Sequence, residues 1–358
     1  MRDTTGSMPS FYMSTGQESI YSTGTLTPVT EENCLEVATA RDSVVMGLVP
    51  FDPAQPARLW VPESFERGTL PVTTEKPMPS LASVSGQDNP GYRAAVATAV
   101  ECMGKGELDK VVLARTLTAE FDAHLHAPDV LDNLRALQPR AYTFSVAIPG
   151  TKQYLMGASP ELVFSTHDGD FETFPLAGSA PRQTPGSIED MQTGEELMRS
   201  AKDRAEHATV VDDIRRRLTP LVETLEIPAT PTLVTTPQLW HLGTRIQGNL
   251  APGISSLQGA RAIHPTPAIC GTPREEALET IAELEDFDRG FFGGLVGYMD
   301  ANGNGSWALV LRCALVGEHS ATLFAGAGII KASEPVKEHE ETATKLGTFA
   351  QALGVTSL

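Results

Sequence analysis

Two acidic steps stand out in the chain, Asp203-x-x-Glu206 and Glu338-x-x-Glu341. A spacing of three puts both carboxylates of each step on one face of a helix, and Lys345 lies one further turn along the second. Carboxylates converging from two helices make an oxygen-only site, which suits Mg²⁺ and does not suit zinc. Taken alone, each step reads equally as a solvated helix face. Lys110 and Glu161 form a second candidate pair. Lys110 sits among Val111, Val112 and Leu113, so on an inward face it is desolvated, its pKa falls and it can serve as a general base. Glu161 follows Gly157-Ala-Ser-Pro160, a tight segment that could hold a carboxyl protonated as a general acid. A strand-edge lysine and a loop glutamate are the alternative. The third candidate is Phe324-Ala-Gly-Ala-Gly-Ile-Ile330, with Arg312 on the preceding strand. Glycines inside a strand mark close approach of a ligand or another backbone, so exposed N–H groups with Arg312 could cradle a carboxylate; a β-bulge would use the same residues.

The elements that must position these groups follow from periodicity. Asp109 to Phe121 alternates as a strand, with Lys110, Val112 and Ala114 on one face and Val111, Leu113 and Arg115 on the other. A helix from Pro90 to Met103 precedes it and stops at Gly104-Lys-Gly106. A second helix, Pro128 to Leu137, leads into strands at Ala141–Ile148 and Tyr154–Phe164, joined through Pro149-Gly150, and then Asp170–Pro175 after the Asp168-Gly169 turn. One long helical region, Glu195 to Glu223, carries the first acidic step and is ended by Pro228. The last third reads as strands Gly294–Met299, Trp307–Val316 and Ala321–Ile330, with a hairpin turn at Asn302-Gly-Asn-Gly305, and a helix from Glu334 onward. Upstream, Val44 to Trp60 is strand-like, and Pro62, Pro71, Pro77, Pro79 and Pro90 punctuate a surface connection. Residues 1–27, rich in Ser, Thr and Gly, are expected to be poorly ordered. The pattern is α+β with antiparallel sheet, lacking the strict alternation of a doubly wound fold.

With 27 Lys+Arg against 45 Asp+Glu, the net charge of −18 repels phosphate backbones and anionic lipid, which argues against nucleic-acid and membrane-surface partners. An anionic substrate would then need a bound cation or a few placed basic groups. Cys34, Cys102, Cys270 and Cys313 form no C-x-x-C pair, which argues against a zinc site or disulfide scaffold and fits a reducing compartment. Apolar runs such as Gly290 to Met299 reach about ten residues, short of the roughly 20 that span a bilayer. The first residues lack the basic start and apolar core of a signal peptide, so a cytoplasmic protein is expected. No G-x-S-x-G elbow or G-x-x-x-x-G-K-[ST] loop supports a hydrolase or P-loop reading. By themselves, His207, His241 and His264 read as hydrogen-bonded structural imidazoles.

In order and wording these motifs resemble the chorismate-utilising enzymes, and within them the isochorismate synthases. The resemblance runs through Asp109-Lys-Val-Val-Leu-Ala-Arg115, Gly157-Ala-Ser-Pro-Glu161, Pro175-Leu-Ala-Gly-Ser-Ala180, Ser200-Ala-Lys-Asp-Arg-Ala-Glu-His207, Leu239-Trp-His-Leu-Gly-Thr244 and His264-Pro-Thr-Pro-Ala268. It continues through Glu283-Leu-Glu-Asp-Phe-Asp-Arg289, Phe292-Gly-Gly-Leu-Val-Gly297, Phe324-Ala-Gly-Ala-Gly-Ile329 and Glu341-Thr342, and so covers about Pro90 to the C-terminus. It implies one large α+β domain over residues 28–358, motif-bearing from 90, with an antiparallel sheet core flanked by helices and the active site between sheets. It implies that Lys110 activates water for attack at C2 of chorismate and that Glu161 protonates the departing C4 hydroxyl. Glu206 and Glu341 would be Mg²⁺ ligands, supported by Asp203 and Glu338. Arg312, Lys345 and the backbone at Gly326, Ala327 and Gly328 would hold the enolpyruvyl carboxylate, while Gly178, Ser179, His241, Thr266, Ala268 and Phe292 would complete the substrate site.

Within that family, amine-transferring members take ammonia from a glutaminase and generally lack the lysine that handles water. Lys110 therefore implies water as nucleophile and no glutaminase partner, and the family expectation is a monomer. Salicylate synthases also use water but then eliminate pyruvate, and they resemble threonine and tyrosine at the positions of Ala268 and Phe292. Those two residues match the isochorismate-releasing pattern. A salicylate synthase and a non-catalytic chorismate-binding descendant are the alternatives.

Overall fold

The alternation along Asp109–Phe121 is realised as the strand Lys110–Phe121, which pairs antiparallel with Ser320–Ile330, from Glu120 opposite Ser320 to Lys110 opposite Ile330, without a register shift. In this computed structural model, residues 8–15, 18–69, 73–236 and 238–355 are described. The two strands lie at one end of a 17-stranded sheet in which every pairing is antiparallel. From the other end the neighbours are Val222–Glu226, Ile246–Leu250, Asp170–Thr173, Leu162–His167, Gly305–Leu309, Leu295–Met299, Val45–Val49 and Arg58–Gly68. Ser19–Val29, Phe11–Ser14, Tyr142–Ala147, Tyr154–Ser159, Cys313–Val316 and Ser320–Ile330 follow. Lys110–Phe121 ends the series, with Gly271–Thr272 and Leu81–Ser85 on separate stretches of its outer edge. A second sheet holds Leu239–Gly243 between Leu176–Pro181 and Thr232–Thr235.

The large sheet curls on itself, because strands distant in its order share one core. Phe11, Met46, Trp60 and Val296 from its middle pack with Ala114, Phe144, Leu155, Cys313 and Phe324 from its end. Helices cover the outer faces: Ala127–Leu137 and Pro335–Ala352 on one half, Ala201–Leu218 and Ser256–Ile263 on the other. Pro90–Lys105 and Arg274–Leu284 lie over Val111, Leu113, Ala327 and Ile329. The α+β expectation with a helix-flanked antiparallel core is therefore met.

Several expectations need correction. Residues 1–27 are not poorly ordered where described: Phe11–Ser14 is fully buried between Ser19–Val29 and Tyr142–Ala147, although 1–7 and 16–17 lie outside the described residues. Pro62 belongs to the strand Arg58–Gly68, opposite Leu26 and beside a register shift, the setting in which a sheet tolerates proline. Pro71 lies outside the described residues. The helical region Glu195–Glu223 is two helices, Ile188–Arg199 and Ala201–Leu218, broken at Ser200, whose hydroxyl accepts from the Asp203 N–H as N-cap of the second; residues Val222–Glu226 are a strand. The segments Tyr154–Phe164 and Trp307–Val316 are each split in two, at Pro160-Glu161 and at Val310–Arg312.

Candidate active site

The two strand breaks build one wall of a cavity of about 190 Å³. They are tied to the neighbouring strands by Leu309 N–H donating to Glu161 O at 3.1 Å and Ala158 N–H donating to Arg312 O at 3.2 Å. Arg312 is thus not a strand residue: its φ is 49°, left-handed backbone that turns its side chain out of the sheet's alternation and into the cavity. The opposite wall is the inward face of Lys110–Phe121 with Ser320–Ile330. The mouth is formed by the N-terminal turns of Ala201–Leu218 and the cavity-facing side of Pro335–Ala352.

Lys110 is buried, and its Nζ donates to Glu206 Oε1 at 2.6 Å. Gly328 lies across the ladder from Val112, and a Cβ there would stand 3.0 Å from Lys110 Cε and 3.4 Å from Nζ. The ladder has no register shift, so the glycines mark no bulge; at 326 a Cβ would stand 3.2 Å from Leu113 O and 3.3 Å from Ala114 Cβ, which is close sheet packing, and at 328 the missing side chain is the space the lysine stem occupies. Gly328→Ala should leave the thermal midpoint close to that of the parent and lower kcat by about 10- to 100-fold, since displacements well under an ångström already penalise a reacting group. Steady-state kinetics beside a melting curve checks this; unchanged kcat would mean that the amine's position is not critical.

Asp203, Glu206, Glu338 and Glu341 all line this cavity, as the two acidic steps require. Each helix supplies a lysine as well: Lys345 Nζ donates to Glu341 Oε1 at 2.6 Å and to Gly326 O at 2.9 Å, and Lys202 lies beside Asp203. Asp203 bonds the Ser200 hydroxyl. Among the described residues no three His, Cys, Asp or Glu side chains stand close enough to hold a metal as they are. The donor set still fits a hard cation, being all carboxylate from two helices at one cavity; burial, with Glu341 adding to it, pushes the Glu338 carboxyl above its usual range.

Glu161 is 6% exposed, and among the described residues its carboxylate has only a long contact, from Leu176 N–H at 3.5 Å. Burial pushes its pKa up to about 8, against the opposing pull of that N–H and of Arg312. At that value the carboxyl keeps its proton at neutral pH. Arg312 is half-buried and lines the cavity, and among the described residues its guanidinium has no hydrogen bond or ion pair. A half-buried guanidinium with its fork open toward a cavity is placed to take a ligand carboxylate in a bidentate pose. His241 offers a second open valence: Nδ1 bonds Ser179 Oγ at 2.7 Å, while Nε2 is buried without a partner among the described residues. Burial, then Arg312 and Lys345, pull His241 down to about 3, so the imidazole is neutral. The structural reading of this histidine thus gives way to a cavity-lining one, whereas His207 is satisfied by Thr244 Oγ1 at 2.7 Å and Ala177 O at 3.2 Å, and His264 contacts Pro50 O at 3.3 Å.

Gly178, Ser179, Ala268, Phe292, Gly326 and Gly328 also line the cavity. Two anticipated residues do not. Ala327 faces the opposite side of the sheet, packed with Val111, Leu113 and Ile329, because strand alternation sends it away from its glycine neighbours. Thr266 is buried behind Glu161, among Ile214, Ile263 and Leu309, and its carbonyl accepts from Ile269 and Cys270 N–H. Lys202, Leu176, Ile269, Arg289 and Ala325 line the cavity without having been singled out as site residues. Lys202, Leu176, Arg289 and Ala325 each fall inside a motif quoted above, and Lys202 also adjoins Asp203; Ile269 lies just past one.

The family model described as "Chorismate binding enzyme" matches residues 58–354. The isochorismate synthase EntC of Escherichia coli K12 is 39% identical over 323 residues, covering 88% of this chain and 82% of that protein. A putative isochorismate synthase MenF of Mycobacterium tuberculosis H37Rv is 40% identical over 324 residues, covering 87% of each. Among solved structures, a putative 2,3-dihydroxybenzoate-specific isochorismate synthase, DhbC from Bacillus anthracis, superposes with a TM-score of 0.90 at 35% identity, covering 97% of this chain and 96% of that one.

Proposed function

We propose, from the premise that this chain belongs to the chorismate binding enzymes, that it is an isochorismate synthase, an isomerase that adds water at C2 of chorismate and expels the C4 hydroxyl. The observation that carries the reading is the content of one small cavity: a buried carboxyl at Glu161, an amine at Lys110 and, among the described residues, an unpaired guanidinium at Arg312. Lys110 takes a proton from the attacking water, and Glu161 gives one to the departing hydroxyl, so one water enters and one leaves. Arg312 holds the enolpyruvyl carboxylate, with His241 Nε2 free for a further polar contact. Ala268 and Phe292 present no hydroxyl to the cavity, which supports release of isochorismate over onward elimination of pyruvate.

Glu206 and Glu341 are the proposed Mg²⁺ ligands, with Asp203 and Glu338 in support; the ion, when bound, supplies positive charge to the ring carboxylate. The chain's own part is to bring the four carboxylates to one mouth and to hold two of them on lysines at rest. Among the described residues no helix is long and apolar enough to cross a membrane. We place the enzyme in the cytoplasm, supplying either siderophore or menaquinone synthesis, since the relatives' names divide between vibriobactin- or 2,3-dihydroxybenzoate-specific and menaquinone-specific isochorismate synthases.

Incubation with chorismate, with and without Mg²⁺, followed by product separation tests the reading. Isochorismate is expected; salicylate with pyruvate would replace it by a salicylate synthase, and binding without turnover by a chorismate-binding descendant. Chelation should abolish turnover and Mg²⁺ restore it, and Glu206→Ala should need far more Mg²⁺ for half-maximal rate. An unchanged Mg²⁺ dependence in that variant would overturn the ligand assignment.

A further inference from the structure

Arg289 ends the stretch Glu283-Leu-Glu-Asp-Phe-Asp-Arg289 and borders the same cavity as Arg312, yet the two arginines are bonded in opposite ways. A guanidinium has five N–H donors. In Arg289, Nε donates to Glu285 Oε2, Nη2 to Glu285 Oε1 and to Val112 O at 2.7 Å, and Nη1 to Ile269 O at 3.2 Å. The Phe51 ring lies 4.2 Å from the guanidinium carbon and the Phe292 ring 5.8 Å from it. Side-chain exposure is 4% for Arg289 and 3% for Glu285. With four donors committed and aromatic rings beside it, Arg289 has no fork left for a substrate carboxylate, whereas Arg312 has its whole fork free.

The bonds that Arg289 and Glu285 make show what they do. The strand Lys110–Phe121 has a continuous neighbour on one edge only; its other edge is covered by Gly271–Thr272 opposite Lys110 and Val111 and by Leu81–Ser85 from Thr118 onward. In the gap, Ala114 N–H donates to Glu285 Oε1 at 2.7 Å and Val112 O accepts from Arg289, so a side-chain ion pair stands where a strand is missing. Buried backbone groups need such partners. The same guanidinium holds Ile269 O, next to Ala268, and lies against Phe292.

We infer that Glu285 and Arg289 form a positioning pair, clamping the strand that carries Lys110 against the Ala268–Ile269 segment and Phe292, and so setting where the amine stands relative to the bound ring. The kinetic part of this inference rests on the isochorismate synthase reading; the strand clamp does not. Arg289→Lys keeps the charge and loses the fork. It should lower kcat at least about tenfold with KM within about threefold, the signature of misplacement without lost ground-state binding. The double variant Glu285→Leu/Arg289→Met removes both buried charges together, which folded proteins commonly tolerate. It should fold, keep the kcat defect, and exchange the Ala114 amide hydrogen at least about tenfold faster, while strand amides bonded to Ser320–Ile330 keep their protection. A raised KM with unchanged kcat in Arg289→Lys would make Arg289 a substrate contact and overturn the inference, as would a double variant with parental kcat or parental Ala114 exchange. If the parent itself does not turn over chorismate, the functional reading fails, and the exchange measurement still decides the clamp.

Discussion

Lys110→Ala should reduce kcat/KM by roughly 10²- to 10⁴-fold, the range over which a positioned general base contributes. The informative companion is Lys110→Arg. Lys110 has two separable parts: as the proposed base it must leave Glu206 and give up its proton, and at rest its ammonium pairs with Glu206 across 2.6 Å. Arginine can keep the second part but cannot release a proton in a protein. If proton transfer is the essential part, the arginine variant is as inactive as the alanine variant while its thermal midpoint stays nearer the parent's. If charge pairing is what matters, arginine retains most of the activity and the base assignment fails. Turnover and melting measured on both variants separate the two parts.

What made Lys110 legible was periodicity: a period of two put it on the face of Val112 and Ala114, and the structure keeps that face toward the cavity. The acidic steps were legible for the same kind of reason, since helical spacing alone puts both members of each on one side. The partners were not legible. Lys110 meets Glu206, 96 residues away, and nothing local to either announces the pair. The strand breaks were hidden too. Leu-Val-Leu-Arg-Cys-Ala-Leu-Val over 309–316 reads as one uninterrupted strand, and the left-handed backbone at Arg312 is imposed by tertiary contacts, with no glycine to signal it. Residues 8–15 were misread because local composition, rich in Ser and Thr, resembles a tail. Of their two neighbours Ser19–Val29 is local, but Tyr142–Ala147 lies more than 100 residues on, and Phe11, Tyr12 and Met13 are buried between the two. Arg289 was visible as part of a motif, but its role depends on a gap in the sheet edge that no sequence pattern displays.

Glu161→Gln should be the other near-null variant, and pH should show why. The glutamine is isosteric and keeps an acceptor for Leu176 N–H, so the cavity wall is preserved while the transferable proton is lost; a decrease of roughly 10²- to 10⁴-fold in kcat is expected. In the parent, the acid form is needed and burial raises its pKa in the free enzyme to about 8, so kcat/KM should hold through neutrality and fall as pH rises past that value. The same burial couples to stability with a definite sign. Between the ordinary glutamate range and about 8 the folded protein keeps a proton that the unfolded chain releases, so raising pH through this window favours unfolding. The contribution is complete below the unfolded pKa and is lost as pH passes the folded one. A shift of this size corresponds to at most a few kcal/mol, on the order of 1.4 kcal/mol per pH unit. Glu161→Gln has no proton to lose there, so its melting temperature should decline less than the parent's from about pH 5 to pH 9. Parallel curves for the two proteins, or a parental rate that keeps rising beyond pH 9, would mean that Glu161 is ionised in the resting enzyme and that the proton for the leaving hydroxyl comes from another group.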